Sequence, residues 1–168
     1  CTFGQRVTLG EVAIGYLAES RIQIVNSVIY NFFVGLSFVP PSGQGFAEAE
    51  ITNTTFANNF TDISDQSGAT VADLSIRNSI FSIASNNTFS QNASVSHSLL
   101  PSPPPMFFAN DGGGNRFGVP VFVDAANGDF RLVAGSPGID AGRDRFLPTL
   151  SDLGIDPTST QAITFDRD

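Results

Sequence analysis

The sequence has no lysine, no tryptophan, one cysteine and one histidine, and these shortages exclude several kinds of chemistry. A lysine cannot act as base or nucleophile here, and one cysteine cannot form a disulfide within the chain. A zinc site has neither a histidine pair nor a cysteine pair to use as ligands. No apolar run approaches the roughly 18 residues that a membrane-spanning helix needs, so we predict no transmembrane segment.

Charge is also scarce, and most of it has one sign. Only 14% of the 168 residues are charged, and 16 acidic residues against 8 arginines give a formal net charge of −8. A surface of this sign repels polyanions, so nucleic acid is not an expected partner. The hydrophobic content of 41% is nevertheless enough to build the core of one ordinary domain.

One six-residue pattern occurs four times in the first hundred residues. It reads Ile or Val, any residue, Asn or His, Ser or Thr, any residue, large apolar residue, and it occupies residues 24–29, 51–56, 76–81 and 95–100. In each copy, the residues four and two positions before the Asn or His are apolar, and so is the residue three positions after it. This spacing predicts a strand whose alternate side chains face inward and which is interrupted by a corner at the Asn or His. Successive copies start 27, 25 and 19 residues apart, which suits one turn of a wound chain.

Strand-like segments that recur at this period predict an all-β fold, a parallel β-helix or solenoid in which equivalent residues stack as ladders. An antiparallel β-sandwich is the alternative that the composition allows, but the aligned corners favour the helix. The predicted polar ladder stacks at the corners, with its amides bonded to one another, and His97 closes it on the last coil; its members are Asn26, Asn53, Asn78 and His97. The predicted apolar ladder lies inside and comprises Ile29, Phe56, Phe81 and Leu100.

The remainder of the chain has a different character, and we divide one domain into three parts. Residues 1–100 are predicted to form the coils, and the repeat is expected to end there. Residues 101–118, rich in Pro and Gly, are predicted to be a crossing. Residues 119–168 hold two strand-like runs joined by Asn127-Gly128, a strong hairpin signal, and are predicted to cap the last coil.

Three segments resemble a known family. Residues 53–59 (NTTFANN) and 88–92 (TFSQN) resemble repeats of right-handed parallel β-helix proteins of the pectin lyase-like superfamily and of polymorphic outer-membrane repeats. Residues 120–142 (PVFVDAANGDFRLVAGSPGIDAG) are similar to the segment that ends the β-helix in many large bacterial surface proteins. The resemblance implies a right-handed helix of about four to five coils, an extracellular or cell-surface location, and a chain that is part of a longer protein.

The enzymes of that superfamily cleave acidic polysaccharides with clustered aspartates, some of which hold calcium beside an Arg or Lys base. The only candidates for such roles in the repeat region are Asp62, Asp65, Asp73 and Arg77. Their spacing does not place them along successive coils. Glu48 and Glu50 lie two residues apart and therefore on one side of a strand, where they could bind a cation or a sugar hydroxyl or be merely solvated.

The densest acidic set lies in the tail, around the hairpin signal. Carboxylate oxygens are the ligands that calcium prefers, although no stretch matches a twelve-residue calcium loop. The set is a candidate calcium site, and we expect no other cofactor; its members are Asp124, Asp129, Asp140 and Asp144.

Two functions fit these observations. The first is a non-catalytic extracellular module that acts as stalk, adhesin, filament subunit or surface for polysaccharides and cell-surface glycans. Its open ends could pair head to tail with other copies. The second is a terminal fragment of a polysaccharide lyase or glycoside hydrolase, because this fold hosts both kinds of protein. We predict the first.

Overall fold

A computed structural model describes residues 2–4, 12–16, 21–38, 48–65, 73–82, 87–89, 93–101 and 110–144. The strands are β1 (Thr2–Gly4), β2 (Val12–Tyr16), β3 (Arg21–Tyr30), β4 (Val34–Phe38), β5 (Glu48–Ala57), β6 (Thr61–Asp65), β7 (Asp73–Arg77), β8 (Ile80–Phe81), β9 (Ser94–Ser96), β10 (Leu99–Leu100), β11 (Asn110–Asp111), β12 (Arg116–Phe117), β13 (Phe122–Asp124) and β14 (Asp129–Leu132). A short 3-10 helix covers Ala125–Asn127. The all-β prediction is confirmed for these residues.

Two parallel sheets and one hairpin make up the described part of the chain. A large curled sheet contains β1, β3, β5 and β7–β12, and a smaller sheet has the order β2-β4-β6. Every pairing in these two sheets is parallel, whereas β13 and β14 pair antiparallel. Repeated parallel pairing is consistent with a β-solenoid and is not the pattern of an antiparallel sandwich.

One pass of the chain is called a rung below, and the rungs that start at Arg21, Glu48 and Asp73 run through the same three surfaces. The first face of the large sheet comprises residues 21–25, 48–52, 73–77, 94–96 and 110–111. The second face, which follows a corner in the later rungs, comprises residues 2–4, 27–30, 54–57, 80–81, 99–100 and 116–117. The third face is the small sheet, to which Thr88 adds a bridge with Ser64.

Apolar ladders fill the space between the two sheets. Ile24, Ile51, Ile76 and Val95 stand in register on the first face, and Ile29 stands beside Phe56 and Phe81 on the second. Leu99 pairs with Ile80, which places Leu100 after Phe81 in the same ladder. The side chains of the two ladders are buried, and the Phe56 and Phe81 rings stack 5.0 Å apart at 8°. Burial of each such side chain stabilises the fold by about 1.5–3 kcal/mol.

The corner between the first and second faces depends on a left-handed backbone. Asn26, Asn53, Asn78 and His97 have φ values of 49°, 51°, 50° and 50°. Asparagine tolerates this region better than most residues with a Cβ, which explains why the pattern places it there. Asn31 and Asn58 form a second corner, between the second and third faces, with φ values of 61° and 53°.

A hydroxyl ladder follows the first corner and explains the Ser or Thr of the pattern. Ser79 Oγ donates to the carbonyl of Arg77 at 2.9 Å and accepts the N–H of Thr54, one rung below, at 3.2 Å. Ser98 Oγ does the same for the carbonyl of Ser96 and the N–H of Ser79. These groups are almost completely buried, so each hydroxyl satisfies two backbone groups that have no access to water.

The stack extends one rung beyond the predicted end of the repeat at Leu100. Asn110–Asp111 pairs with β9, and Arg116–Phe117 pairs with β10. The sequence pattern did not reveal this rung, because only one of its defining residue types, the large apolar residue, is kept there, as Phe117. Residues 102–109 of the predicted crossing and 145–168 of the predicted cap lie outside the described residues.

The hairpin forms at the predicted turn, and the described tail lies against the outside of the second face. Gly128 at the turn has a φ of 84°. Phe130 packs against Tyr30 of the second face at 4.7 Å. Gly138 lies so close to Leu99 that an added Cβ would be 3.2 Å from its Cδ2 atom. Because Tyr30 and Leu99 belong to different rungs, the tail covers the outside of the second face along the axis.

Candidate functional site

The outward side of the first face carries a continuous polar surface, called the polar face below. Arg21, Glu48 and Asp73 are register partners in one column. A second column comprises Gln23, Glu50, Ser75 and Ser94, and a third Val25, Thr52, Arg77 and Ser96. These residues alternate along each strand with the buried ladder residues, so their side chains point away from the core.

Glu50 is the centre of a network on the polar face. Its Oε2 atom accepts hydrogen bonds from Gln23 Nε2 at 2.7 Å and Arg21 Nη2 at 3.2 Å. Its Oε1 atom lies 3.7 Å from Arg77 Nη1. The hydrogen bond from Gln23 is the main cause that lowers the pKa of the Glu50 carboxyl, and Arg21 and Arg77 lower it further, whereas burial acts in the opposite direction. Glu50 therefore stays ionised and links three rungs.

Glu48 and Glu50 share the polar face, but their environments differ. Glu48 is half-exposed, and its Oε1 atom lies 3.6 Å from Arg21 Nη2. Both oxygens of Glu50 already face protein donors. Arg21, Gln23 and Arg77 complete this arrangement, and the sequence could not link them to Glu50, because that link depends on register between rungs.

The four catalytic candidates are distributed over two sheets. Asp62 and Asp65 belong to β6 on the third face, whereas Asp73 and Arg77 belong to β7 on the first. Arg77 lies beside Glu50 and Asp73 is exposed next to Glu48 in register. The structure therefore does not gather an acid, a base and a cation-binding pair at one place from this set.

Asp62 is nevertheless unusual, because its carboxyl group is completely buried. Oδ1 accepts a hydrogen bond from Asn59 Nδ2 at 3.0 Å, and Oδ2 has no hydrogen-bond partner among the described residues. Burial raises the pKa of Asp62 to about 7, while the hydrogen bond from Asn59 and the neighbouring amide of Asn87 act in the opposite direction. A buried carboxyl of this kind retains its proton well above the usual range.

Two asparagines that the sequence analysis did not select hold the surroundings of Asp62. Asn59 Oδ1 accepts the N–H of Phe32 at 2.9 Å, and its Nδ2 also donates to the carbonyl of Ile29. Asn87 Oδ1 accepts the N–H groups of Asp62 and Ile63 at 2.7 and 3.0 Å. These oxygens are occupied by backbone donors, so the two amides act as structural ties between rungs.

The four aspartates of the tail have separate surroundings in the structure. Asp124 accepts from the backbone and side-chain nitrogens of Asn127 and caps the short helix. Hydrogen bonds from Arg131 lower the pKa of Asp129 to about 2. Asp140 and Asp144 are exposed. Within the described residues, no three His, Cys, Asp or Glu side chains lie together in a way that could hold a metal ion.

The corner ladder changes its partners along the axis. Asn53 Nδ2 donates to Asn26 Oδ1 at 3.1 Å, as the ladder requires. Asn78 instead forms two hydrogen bonds with the tail. Its Nδ2 donates to the carbonyl of Arg143 at 2.9 Å, and its Oδ1 accepts the Arg143 N–H at 2.8 Å. The guanidinium of Arg143 reaches His97 Nε2 at 3.4 Å. The polar ladder thus anchors the tail on two rungs.

Comparison with known proteins adds no relative. No protein-family model, no curated protein and no solved structure matches the chain. The part of the chain that the structure describes also contains no helix of the length and apolar character that crossing a membrane requires.

Proposed function

We propose that the chain is a right-handed parallel β-helix of the pectin lyase-like type, with about four to five coils, that works as a non-catalytic extracellular module. In this proposal the polar face contacts polysaccharides or cell-surface glycans. The observation that carries it is the in-register array of outward side chains on the first face, which Glu50 ties together across three rungs.

The chemistry of the polar face suits a hydroxyl-rich ligand. A sugar presents donors and acceptors at short intervals, and the face offers guanidinium, amide, hydroxyl and carboxylate groups on strands about 4.8 Å apart. The network holds Arg21 and Glu50 in fixed positions, which reduces the entropy that binding must remove. Since acidic residues are in excess both here and in the whole chain, a neutral glycan fits better than a polyanionic one.

The distribution of the catalytic candidates favours binding over cleavage. Glycoside hydrolysis needs two carboxyl groups on opposite sides of one bond, and lyase chemistry needs a base near a bound cation. Asp62 and Asp73 belong to different sheets, and Arg77 is engaged by Glu50. A fragment of a lyase or hydrolase remains the second candidate, and cleavage of any substrate would favour it.

Binding and cleavage can be measured in one assay. The chain is incubated with neutral and acidic polysaccharides, with calcium and with chelator, and both retention and new reducing or unsaturated ends are followed. We expect the chain to be retained on at least one neutral polysaccharide, both with calcium and with chelator. We expect no new reducing or unsaturated ends on any polysaccharide. New ends, or retention only on polyanions, would contradict the proposal.

A variant pair locates the binding surface. Replacing Gln23 and Ser75 by alanine removes two hydrogen-bonding groups from the middle column of the polar face. At about 0.5–1.5 kcal/mol each, their loss should weaken retention by roughly tenfold. Arg131→Ala, an exposed change on the hairpin, is the matched control and should bind as the unmodified chain does. Equal retention by both variants would show that the ligand binds elsewhere.

A further inference from the structure

The hairpin turn contains the only Asn-Gly pair in the sequence, Asn127-Gly128. Asparagine is a chemically labile residue, and its side-chain amide is lost most readily before glycine. Glycine has no Cβ, so its backbone nitrogen can approach the carbonyl carbon of the asparagine side chain with little hindrance. Asn127 is also exposed, so water can reach it. These features make Asn127 a candidate for spontaneous deamidation.

The carboxylate of Asp124 holds the amide group of Asn127. Asp124 Oδ2 accepts a hydrogen bond from Asn127 Nδ2 at 2.7 Å, and its Oδ1 accepts the Asn127 N–H at 3.3 Å. The N–H of Gly128 donates to the carbonyl of Ala125 at 3.3 Å. The nitrogen that would attack and the nitrogen that would leave are therefore both hydrogen-bonded in the folded turn, and both bonds must break before the reaction.

The same turn lies against the second face of the stack. An added Cβ at Gly128 would be 3.4 Å from the hydroxyl oxygen of Tyr30. Phe130 packs against the Tyr30 ring at 4.7 Å, and Phe122 packs against Phe130 at 5.3 Å. A change in the length or charge of the turn therefore acts directly on the contact between the hairpin and the stack.

We infer that Asn127 is a deamidation site that Asp124 restrains, and that its conversion loosens the hairpin from Tyr30. In the reaction the backbone nitrogen of Gly128 forms a bond with Cγ of Asn127 and loses its proton. The bond from Cγ to Nδ2 breaks, and ammonia leaves. Water then opens the resulting succinimide to aspartate or to isoaspartate. The inference concerns the hairpin and does not depend on glycan binding.

Both products disturb the turn. Aspartate places a carboxylate oxygen where Nδ2 now donates, 2.7 Å from Asp124 Oδ2, and two carboxylates at such a distance repel each other. Isoaspartate adds a methylene group to the backbone of the turn, which shifts the pairing of Asp124 with Asp129. Either product therefore favours the open hairpin.

The first experiment measures the rate of deamidation. The full chain is incubated in mildly alkaline buffer, and peptide mass spectrometry follows the conversion of Asn127 in the unmodified protein, Asp124→Ser and Asp129→Ser. Asp124→Ser keeps a side chain that can cap the short helix but removes the carboxylate. Asp129→Ser, the matched control, removes the register partner of Asp124, whose carboxylate binds Arg131.

We expect conversion to be roughly tenfold faster in Asp124→Ser than in Asp129→Ser, because the loss of a hydrogen bond to a charged group changes an equilibrium by about that factor. Equal rates in the two variants would show that any loosening of the hairpin accelerates the reaction and that Asp124 has no specific effect. That result, or no conversion of Asn127 in Asp124→Ser, would overturn the inference.

The second experiment imitates the product. An arginine-specific protease can cleave after Arg131 when β14 leaves the hairpin, and the rate is compared for Asn127→Asp and Asn127→Ser. Both variants lose the amide, but only Asn127→Asp places a second carboxylate beside Asp124. Like charges about 4 Å apart in water change an equilibrium by roughly fivefold, so we expect Asn127→Asp to be cleaved faster by about that factor. Equal cleavage rates would refute the loosening of the hairpin.

Discussion

Asp62 binds its proton more tightly in the folded chain than in the unfolded chain, because burial raises its pKa to about 7 from an ordinary value of 3.8. Between these two pH values, the folded state therefore holds more protons, and the free energy of unfolding falls as the pH rises. The loss is complete above about pH 7. A shift of about three pH units corresponds to roughly 4 kcal/mol.

Asp62→Asn should remove this dependence, since an amide does not titrate. We expect the free energy of unfolding of the variant, from urea denaturation, to exceed that of the unmodified chain increasingly from pH 4 to pH 7. Glu50 and Asp129, whose pKa values are lowered, give the opposite slope but are present in both proteins, so they cancel in the difference. Asp73→Asn is the control at an exposed site. Parallel curves for Asp62→Asn and the unmodified chain would contradict the burial argument.

Ser79 stabilises the chain through two hydrogen bonds that no solvent can replace. In Ser79→Ala, the N–H of Thr54 loses its acceptor and the carbonyl of Arg77 loses a donor. A buried polar group without a partner costs about 1–3 kcal/mol, so we expect a loss of that size in urea denaturation. Ser75→Ala, on the outward side of β7, should change stability by less than about 0.5 kcal/mol. Similar losses in the two variants would show that the hydroxyl ladder contributes little.

At the scale of elements, the contact between the corner ladder and the tail can be broken without disturbing the corner. Asn78→Gly keeps a residue that tolerates a φ of 50° but removes the amide that binds both backbone groups of Arg143. We expect the tail to detach more often, so that an arginine-specific protease cleaves after Arg143 faster than in the unmodified chain.

Asn53→Gly is the matched control for this experiment. It makes the same change at the preceding corner, where the amide bonds to Asn26 and not to the tail. Cleavage after Arg143 should proceed in this variant at the rate of the unmodified chain. Equal acceleration in both variants would indicate a general loosening of the stack and not the release of a specific anchor.

An element could be predicted where the residues that define it are neighbours in the sequence, and could not where it depends on contacts between distant residues. The asparagine corners and the ladder residues could be found because the same residue types return at each copy. The hairpin could be found from Asn127-Gly128, but its position could not, because its contact with Tyr30 involves residues a hundred positions apart. The last rung was missed because Asp111, Gly113 and Asn115 replace the Ile or Val, the Asn or His and the Ser or Thr of the pattern, and only the large apolar residue is kept.

The candidate site was less predictable than the fold. The spacing of Glu48 and Glu50 was enough to place both on one side of a strand. Their partners Arg21 and Arg77 come from neighbouring rungs, and the connections between rungs vary in length, so the sequence alone does not give the register. The burial of Asp62 could not be predicted either, because it depends on Asn59 and on Asn87 of the next rung.

At the scale of the whole molecule, one core joins the described rungs between Ile24 and Leu100, since buried side chains from both sheets form a single cluster. Phe56→Ala removes a ring that stacks on Phe81 in the middle of that cluster, and we expect a loss of about 3–5 kcal/mol in the free energy of unfolding. Phe60→Ala, at a ring that is 56% exposed, should cost much less. Urea denaturation of both variants tests this, and equal losses would contradict the proposed core.

Register also determines where this chain tolerates a change in length. The chain passes from the first face to the second within a single residue, at Asn26, Asn53 and Asn78. It passes from the third face back to the first through segments of different length, residues 17–20, 39–47 and 66–72. The strand ends that these three segments connect are aligned on the same edge of the described stack. A foreign peptide grafted between Phe38 and Glu48 should therefore leave the ladders aligned, and the same peptide placed at an asparagine corner should not. The molecule thus offers one edge for the display of inserted epitopes.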